Sequence, residues 1–308
     1  VFVQPEIDER LGIAMGVTAA AVERAITAHP EARALVLVYP TYYGVTFDLR
    51  ELAELVHAHG MLLLVDEAHG PHLRFSEELP PQALSCGADI VAQSTHKLLG
   101  AMTQASMLLA KGPRVHQERL REAASLLQST SPNQLLLASL DIARLQMAEA
   151  GARLVGRAVR LARQLRKAIN AIDGLWAFGP DDMQRPGATG LDETKVTVTV
   201  TGLGLTGVEA EAILRHTYKI QCELSDARNV LFIISYADTE RETAYLLKAL
   251  QDLSAMHARK ERAPQLDIPA LPPLPPHNAF PTEGRWKQCR YPAFLTFHDN
   301  RYNKHSRI

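Results

Sequence analysis

Short apolar runs recur along the first hundred residues, and each ends in polar, turn-forming residues. Ala34–Tyr39 and Met61–Val65 are apolar at every position. Runs of that length predict buried strands, and Asp89–Gln93 and Ala105–Ala110 read as two more. Residues 18–29 carry helical spacing, with Thr18 placed as N-cap and Pro30 just beyond the end. A second helix opens at Asp48. Its carboxylate can accept from an orphan N–H while Glu51, three residues on, reaches back. Leu49, Leu52, Ala53 and Val56 share one face of that helix, and Gly60 is a natural stop. Strand–helix–strand at this spacing predicts a parallel sheet. Strands without alternation predict a sheet covered on both faces.

Further along, residues 114–128, 133–149 and 151–172 have helical patterns. The last is rich in Arg and Ala and is expected to link two domains. Lys195–Thr201 alternates as a strand. A helix near 207–217, an apolar strand at Val230–Ser235 and a helix at 239–257 follow, an order that fits a small α/β domain. Pro272-Pro273-Leu274-Pro275-Pro276 predicts extended polyproline, as linker or surface strap. The chain divides accordingly: residues 1–150 a large domain, 151–262 a smaller one, 263–308 a Pro-rich linker and a tail.

Composition narrows the function classes. With 308 residues, 46% of them apolar and 22% charged, the chain can bury sizeable cores. A net charge of −1 gives no sign of nucleic-acid or anionic-membrane binding. No apolar run is long enough to span a bilayer, and Val1–Glu6 lacks the pattern of a signal peptide. Cys86, Cys222 and Cys289 lie far apart with no CxxC pair. Reduced thiols and a cytoplasmic location are expected. The chain opens on Val1 rather than Met, so a fragment or a processed chain is expected.

Two polar clusters follow apolar strands directly: Asp66-Glu67-Ala68-His69 and Ser94-Thr95-His96-Lys97. Open α/β sheets place ligands at such strand ends. A lysine there is well placed for its ammonium to be desolvated, which makes a better Schiff-base former. A carboxylate beside a pyridine nitrogen keeps that nitrogen protonated and the ring an electron sink. Taken singly, each residue has a plainer reading. Lys97 could be a solvated surface lysine and Asp66 a turn cap. His69 could satisfy a buried carbonyl, and Ser94 and Thr130 could be turn or N-cap residues. Tyr42 and Tyr43 read equally as packing.

Several motifs in order carry a resemblance. They are Pro40-Thr41-Tyr42-Tyr43-Gly44, Val65-Asp66-Glu67-Ala68-His69-Gly70, Gln93-Ser94-Thr95-His96-Lys97, Ser129-Thr130-Ser131-Pro132, Ala138-Ser139-Leu140-Asp141 and Glu223-Leu224-Ser225-Asp226. Together they resemble the Orn/Lys/Arg decarboxylase family of pyridoxal-5′-phosphate (PLP) enzymes, across nearly all of residues 1–276. The resemblance implies the PLP-dependent transferase fold (fold type I): an α/β large domain with a mainly parallel sheet and a smaller C-terminal α/β domain. It implies PLP held by Lys97 as a Schiff base, Asp66 on the ring nitrogen, and His69 near the ring oxygen or edge. Ser94 and His96 would bind the phosphate. Thr130 would reach the partner subunit's phosphate in a homodimer or higher homo-oligomer, and Thr41 would contact the ring region. The implied reaction is decarboxylation of a basic amino acid, arginine first, then lysine or ornithine, with Lys97 or His69 returning the proton to Cα.

The residues themselves leave transamination open, because nothing local says which bond at Cα breaks. Metal catalysis is not expected: no HExxH accompanies Asp66, Glu67, His69 and His72. Ser94 lacks the GxSxG of a nucleophile elbow. The chain departs from the family at both ends. Family members carry an N-terminal segment with a glycine-containing phosphate loop and a ring-stacking residue. Its counterpart is absent before Val1, so the cofactor is expected to be half-walled and one side of the sheet uncovered. A truncated, catalytically weak protein acting through dimerisation is the alternative. The tail, residues 277–308, mixes Arg285, Lys287, Arg290, Arg301, Lys304 and Arg307 with scattered aromatics. It carries no recognisable nucleic-acid module, and a poorly ordered end is expected.

Overall fold

The computed structural model describes residues Val1–His257. The readings of residues 258–308, among them the polyproline stretch and the basic tail, lie outside the described residues. Helix α1 (Ala19–Ala28) is capped as its sequence predicts, with Thr18 accepting from the Ala21 N–H at 3.3 Å. In α2 (Leu49–Ala58) Asp48 accepts from Glu51 N at 2.9 Å. The return bond from the Glu51 side chain does not form, so only half of the expected box is present.

Among the described residues the larger sheet has four strands: β1 (Ala34–Val38), β2 (Leu62–Asp66), β3 (Ile90–Gln93) and β4 (Met107–Ala110). The first three pair in parallel and β4 closes the edge antiparallel. Register aligns Val38, Asp66 and Ala92, so the polar residues that follow β2 and β3 emerge side by side. Leu37, Leu63, Val65 and Val91 pack beneath α1 and α2 in one core. The opposite face is open: Val36 is 67% and Val38 59% exposed, and Ala92 is exposed beside them. Cover on both faces is therefore not found. The helices contributing to this core lie on one face only, while the uncovered side agrees with the second expectation.

Between the sheets run a four-residue helix α3 (Thr95–Leu98), α4 (Gln117–Leu127) and α5 (Gln134–Ile169). The two helices expected at 133–149 and 151–172 are this one rod of 36 residues. Gly151 does not break it. A Cβ there would lie 2.8 Å from Phe75 Cδ1, so the glycine is what lets the helix pass close to that ring. Met147, Val155 and Val159 root α5 in the first core. Leu161, Ala162, Leu165 and Ile169 root it in a second.

The second core lies under the smaller sheet: β5 (Trp176–Ala177), β6 (Lys195–Thr199), β7 (Leu224–Ser225) and β8 (Asn229–Ile233). Its order is β7-β8-β6-β5 and every pairing is antiparallel. Helices α6 (Gly207–Tyr218) and α7 (Glu240–His257) pack with it. The order of elements is as expected. Strand direction is not legible from an apolar pattern, which is the same either way. No helix among the described residues is long and apolar enough to cross a membrane.

Candidate active site

Asp66 ends β2, and the alternation of the strand decides what it and its neighbour do. Asp66 faces outward, exposed, with its Oδ1 accepting from Ala68 N at 3.0 Å. Glu67 turns the other way and is fully buried. It accepts from Ala83 N and Gln93 Nε2, both at 2.6 Å. Burial outweighs those bonds and pushes its carboxyl up to about 7. Gly70 then turns the chain: a Cβ there would lie 2.6 Å from Glu67 Cγ and 2.8 Å from Pro40 Cδ.

The turn delivers His69 against Lys97. Lys97 Nζ lies 3.1 Å from His69 Nε2. The imidazole leans on the Tyr42 ring, centroids 4.6 Å apart. Its Nδ1 lies 3.2 Å from Nζ of Lys195, the first residue of β6. Burial, then the charges of Lys195 and Lys97, pull the His69 pKa down to about 3. His69 is therefore a neutral imidazole between two amines at neutral pH.

Lys97 itself is exposed. Its expected desolvation by the surrounding protein is not found, because α3 is a single turn on the surface of the sheet's edge. Ser94 precedes that turn, and its hydroxyl makes no side-chain cap bond. His96 places Nδ1 2.8 Å from the Ala105 carbonyl, so Nδ1 donates and Nε2 keeps a lone pair in the neutral ring. Thr95 Oγ1, between them, is buried without a hydrogen bond.

Thr41 closes the turn after β1: its Oγ1 accepts from Val45 N at 3.1 Å and its carbonyl from Gly44 N at 2.8 Å. The two tyrosines that follow reach the smaller sheet. Tyr42 donates to Glu223 at 2.6 Å and Tyr43 to Asp226 at 2.5 Å. The first bond, assisted by burial, raises the Tyr42 hydroxyl to about 12. These contacts explain the Glu-Leu-Ser-Asp motif, to which sequence reasoning attached no role. Thr130 stands apart, exposed in the loop between α4 and α5. The sequence-predicted residues thus divide. Lys97 and His69 touch, Asp66, Ser94 and His96 share their edge, Thr41 serves its turn, and Thr130 joins none of them.

Lys195 and Asp192 were missed. Asp192 is fully buried. Burial alone would raise it, but His72, Lys195 and Thr194 hold it below the usual carboxylate range. His72 Nε2 lies 3.1 Å from Asp192 Oδ2, and Thr194 Oγ1 donates to Asp192 Oδ1 at 2.6 Å. The available signal was the charged Asp192-Glu193-Thr194-Lys195 run opening a strand.

The donor set fits PLP. An exposed amine suits the aldehyde, an exposed carboxylate suits a protonated ring nitrogen, and the Ser94 hydroxyl, the orphaned Thr95 hydroxyl and His96 suit a phosphate.

Known proteins agree with this architecture. Residues 1–242 match the Orn/Lys/Arg decarboxylase major domain. An arginine decarboxylase of Halalkalibacterium halodurans is 44% identical over 92% of this chain and 59% of its own. One of Bacillus anthracis is 42% identical over 92% and 58%. The chain thus spans somewhat under two thirds of these relatives' length. Lysine decarboxylase A from Pseudomonas aeruginosa superposes with a TM-score of 0.71 at 21% identity, over 83% of this chain and 42% of that one, which shows the fold. The fold is fold type I, and the chain belongs to the Orn/Lys/Arg decarboxylase family.

Proposed function

We infer that this chain carries the PLP and substrate site of a basic amino-acid decarboxylase, with arginine as first substrate and lysine or ornithine next. The observation that carries the reading is the contact of Lys97 Nζ with His69 Nε2 at the carboxyl edge of β2 and β3. The arginine decarboxylases among the relatives support the choice of substrate. When bound, PLP supplies an electron sink for the bond that breaks at Cα.

The chain's own residues do the rest. Lys97 would hold the cofactor through its exposed amine. Asp66 keeps a proton on the ring nitrogen. Ser94 and His96 would hold the phosphate, His96 through the ring edge that its Nδ1 bond to Ala105 leaves free. His69, kept neutral, orients Lys97 and the ring edge. It has no proton to spare beyond its single N–H, so the proton that replaces carbon dioxide at Cα comes from Lys97 Nζ. Thr41 supports the ring region through its turn. Thr130, projecting from its exposed loop, serves the partner subunit's phosphate in a homodimer or higher homo-oligomer. Among the described residues the buried free thiols Cys86 and Cys222 suit the reducing cytoplasm.

The test is carbon dioxide release from carboxyl-labelled arginine, lysine and ornithine by the full-length protein with PLP, alongside Lys97→Ala. Release from arginine fastest, abolished in the variant together with borohydride-fixed cofactor, is expected. No release from any of the three removes the decarboxylase reading. Fixed cofactor retained at wild-type stoichiometry in Lys97→Ala removes the Lys97 assignment.

A further inference from the structure

Lys195 comes from the smaller sheet, yet its amine ends in the site built by the larger one. It is 1% exposed. Its stem packs along Gly44, where a Cβ would lie 3.0 Å from Lys195 Cδ, so the glycine makes room for it. Its Nζ sits 5.4 Å from the centre of the Tyr42 ring and 3.2 Å from His69 Nδ1. Among the described residues it forms no salt bridge; Asp192, from its own loop, and Glu223, ahead of β7, act on it only at longer range. Lys97, from α3, opposes its charge. A buried ammonium without an ion pair is costly, and losing the proton relieves that cost. Burial, joined by Lys97, lowers the Lys195 pKa against the pull of Asp192 and Glu223.

A neutral imidazole offers one N–H and one lone pair. His69 has an amine within hydrogen-bond distance of each nitrogen. Two ammonium groups would both have to donate, and the ring can accept only one. One lysine must therefore be a free amine that accepts. Lys97 is exposed and Lys195 is not, so burial decides between them. The geometry points to Lys195 as a positioning residue: its amine accepts the Nδ1 hydrogen of His69 and fixes the tautomer whose Nε2 lone pair faces Lys97 Nζ.

That tautomer gives the reactive lysine an outlet for its proton. Lys97 passes a proton to Nε2, and Nδ1 passes its own to the Lys195 amine. The imidazole is neutral before and after, with its hydrogen moved to the other nitrogen. Lys97 becomes a free amine, Lys195 an ammonium, and the total charge is unchanged. This role rests on the reading of Lys97 as the cofactor lysine. The tautomer does not, because it belongs to the chain without cofactor and is measured there.

The experiment is nitrogen NMR of the full-length, cofactor-free protein with labelled histidine, His69 being assigned with His69→Gln. The expected spectrum has a protonated Nδ1 and an unprotonated Nε2 from mildly acid to mildly alkaline pH. Lys195→Met removes the acceptor and keeps the bulk, so both tautomers should appear and the two shifts should converge. Lys195→Gln, whose carbonyl can accept, should restore the wild-type pattern. A protonated Nε2 in the wild type overturns the proposal, even if neither variant folds. So do His69 shifts left unmoved by Lys195→Met. Failure of the wild type to take up PLP would sink the functional reading and leave this result standing.

Discussion

Asp66 and Glu67 are adjacent carboxylates with opposite fates. One meets water at the strand end; the other is buried beneath the turn. For Glu67 the consequence is a pH dependence with a definite sign. Its folded pKa of about 7 exceeds the ordinary value of 4.5. As pH rises, the unfolded chain releases this proton near 4.5 and the folded chain only near 7. Stability contributed by this group therefore falls through that window and levels off above it. The shift corresponds to roughly 3 kcal/mol. His69 acts in the opposite sense, since a folded value of about 3 makes stability fall as pH drops below its ordinary 6.5. A difference measurement isolates Glu67. Glu67→Gln keeps a carbonyl to accept from Ala83 N and carries no charge. It should match the wild type in urea unfolding at pH 5 and exceed it by up to about 3 kcal/mol at pH 8. Equal losses at both pH values would show that Glu67 is held by its shape and not by its proton.

Helix α5 shows what an element requires of single residues. Gly151 and Gly156 both lie buried in it, five residues apart, and they should respond oppositely to alanine. Alanine gains about 1 kcal/mol of helix propensity at either position. At Gly156 the nearest atom to a new Cβ is Arg160 Nη1 at 3.6 Å, an ordinary contact, so Gly156→Ala should stabilise. At Gly151 the ring of Phe75 stands at 2.8–3.1 Å, and its own Cβ is among those atoms, so the whole side chain must shift. Overpacking of that kind costs about 1–3 kcal/mol and outweighs the propensity gain. Gly151→Ala should lower the thermal midpoint, and Phe75→Leu should recover part of the loss. The sequence reads residue 151 as the start of a second helix, and only the approach of residue 75 shows what the missing side chain is for. The caps of α1 and α2 were legible because their bonds close within three residues.

At the scale of the molecule, Arg166 ties the rod to the smaller sheet. It donates to the carbonyls of Phe178, Glu193 and Lys195 at 2.9, 3.0 and 2.9 Å from a buried position. Arg166→Met would leave those acceptors without that donor and cost about 3 kcal/mol or more by urea unfolding. Because Lys195 is one of the three, the variant should also disturb the His69 nitrogen signals. A loss of stability with those signals unmoved would show that Arg166 supports the sheet alone. The motifs after β2 and β3 were readable in the chain because strand, turn and polar cluster are contiguous. The Lys195–His69 contact was not, since it joins residues 126 positions apart and no local pattern encodes that approach. The uncovered sheet face was likewise hidden from the strands themselves, whose all-apolar runs read as doubly covered.

The two amines beside His69 are anchored in different halves of the molecule, Lys97 at the edge of one sheet and Lys195 at the start of the other. The rod that joins those halves, about 54 Å long at 1.5 Å per residue, is rooted in both cores, while His69 stands between the two amines. Their spacing is thus a gauge of how well the halves are docked. Loosening the rod would separate the lysines while both sheets remain folded. Heating should accordingly extinguish function before it melts structure.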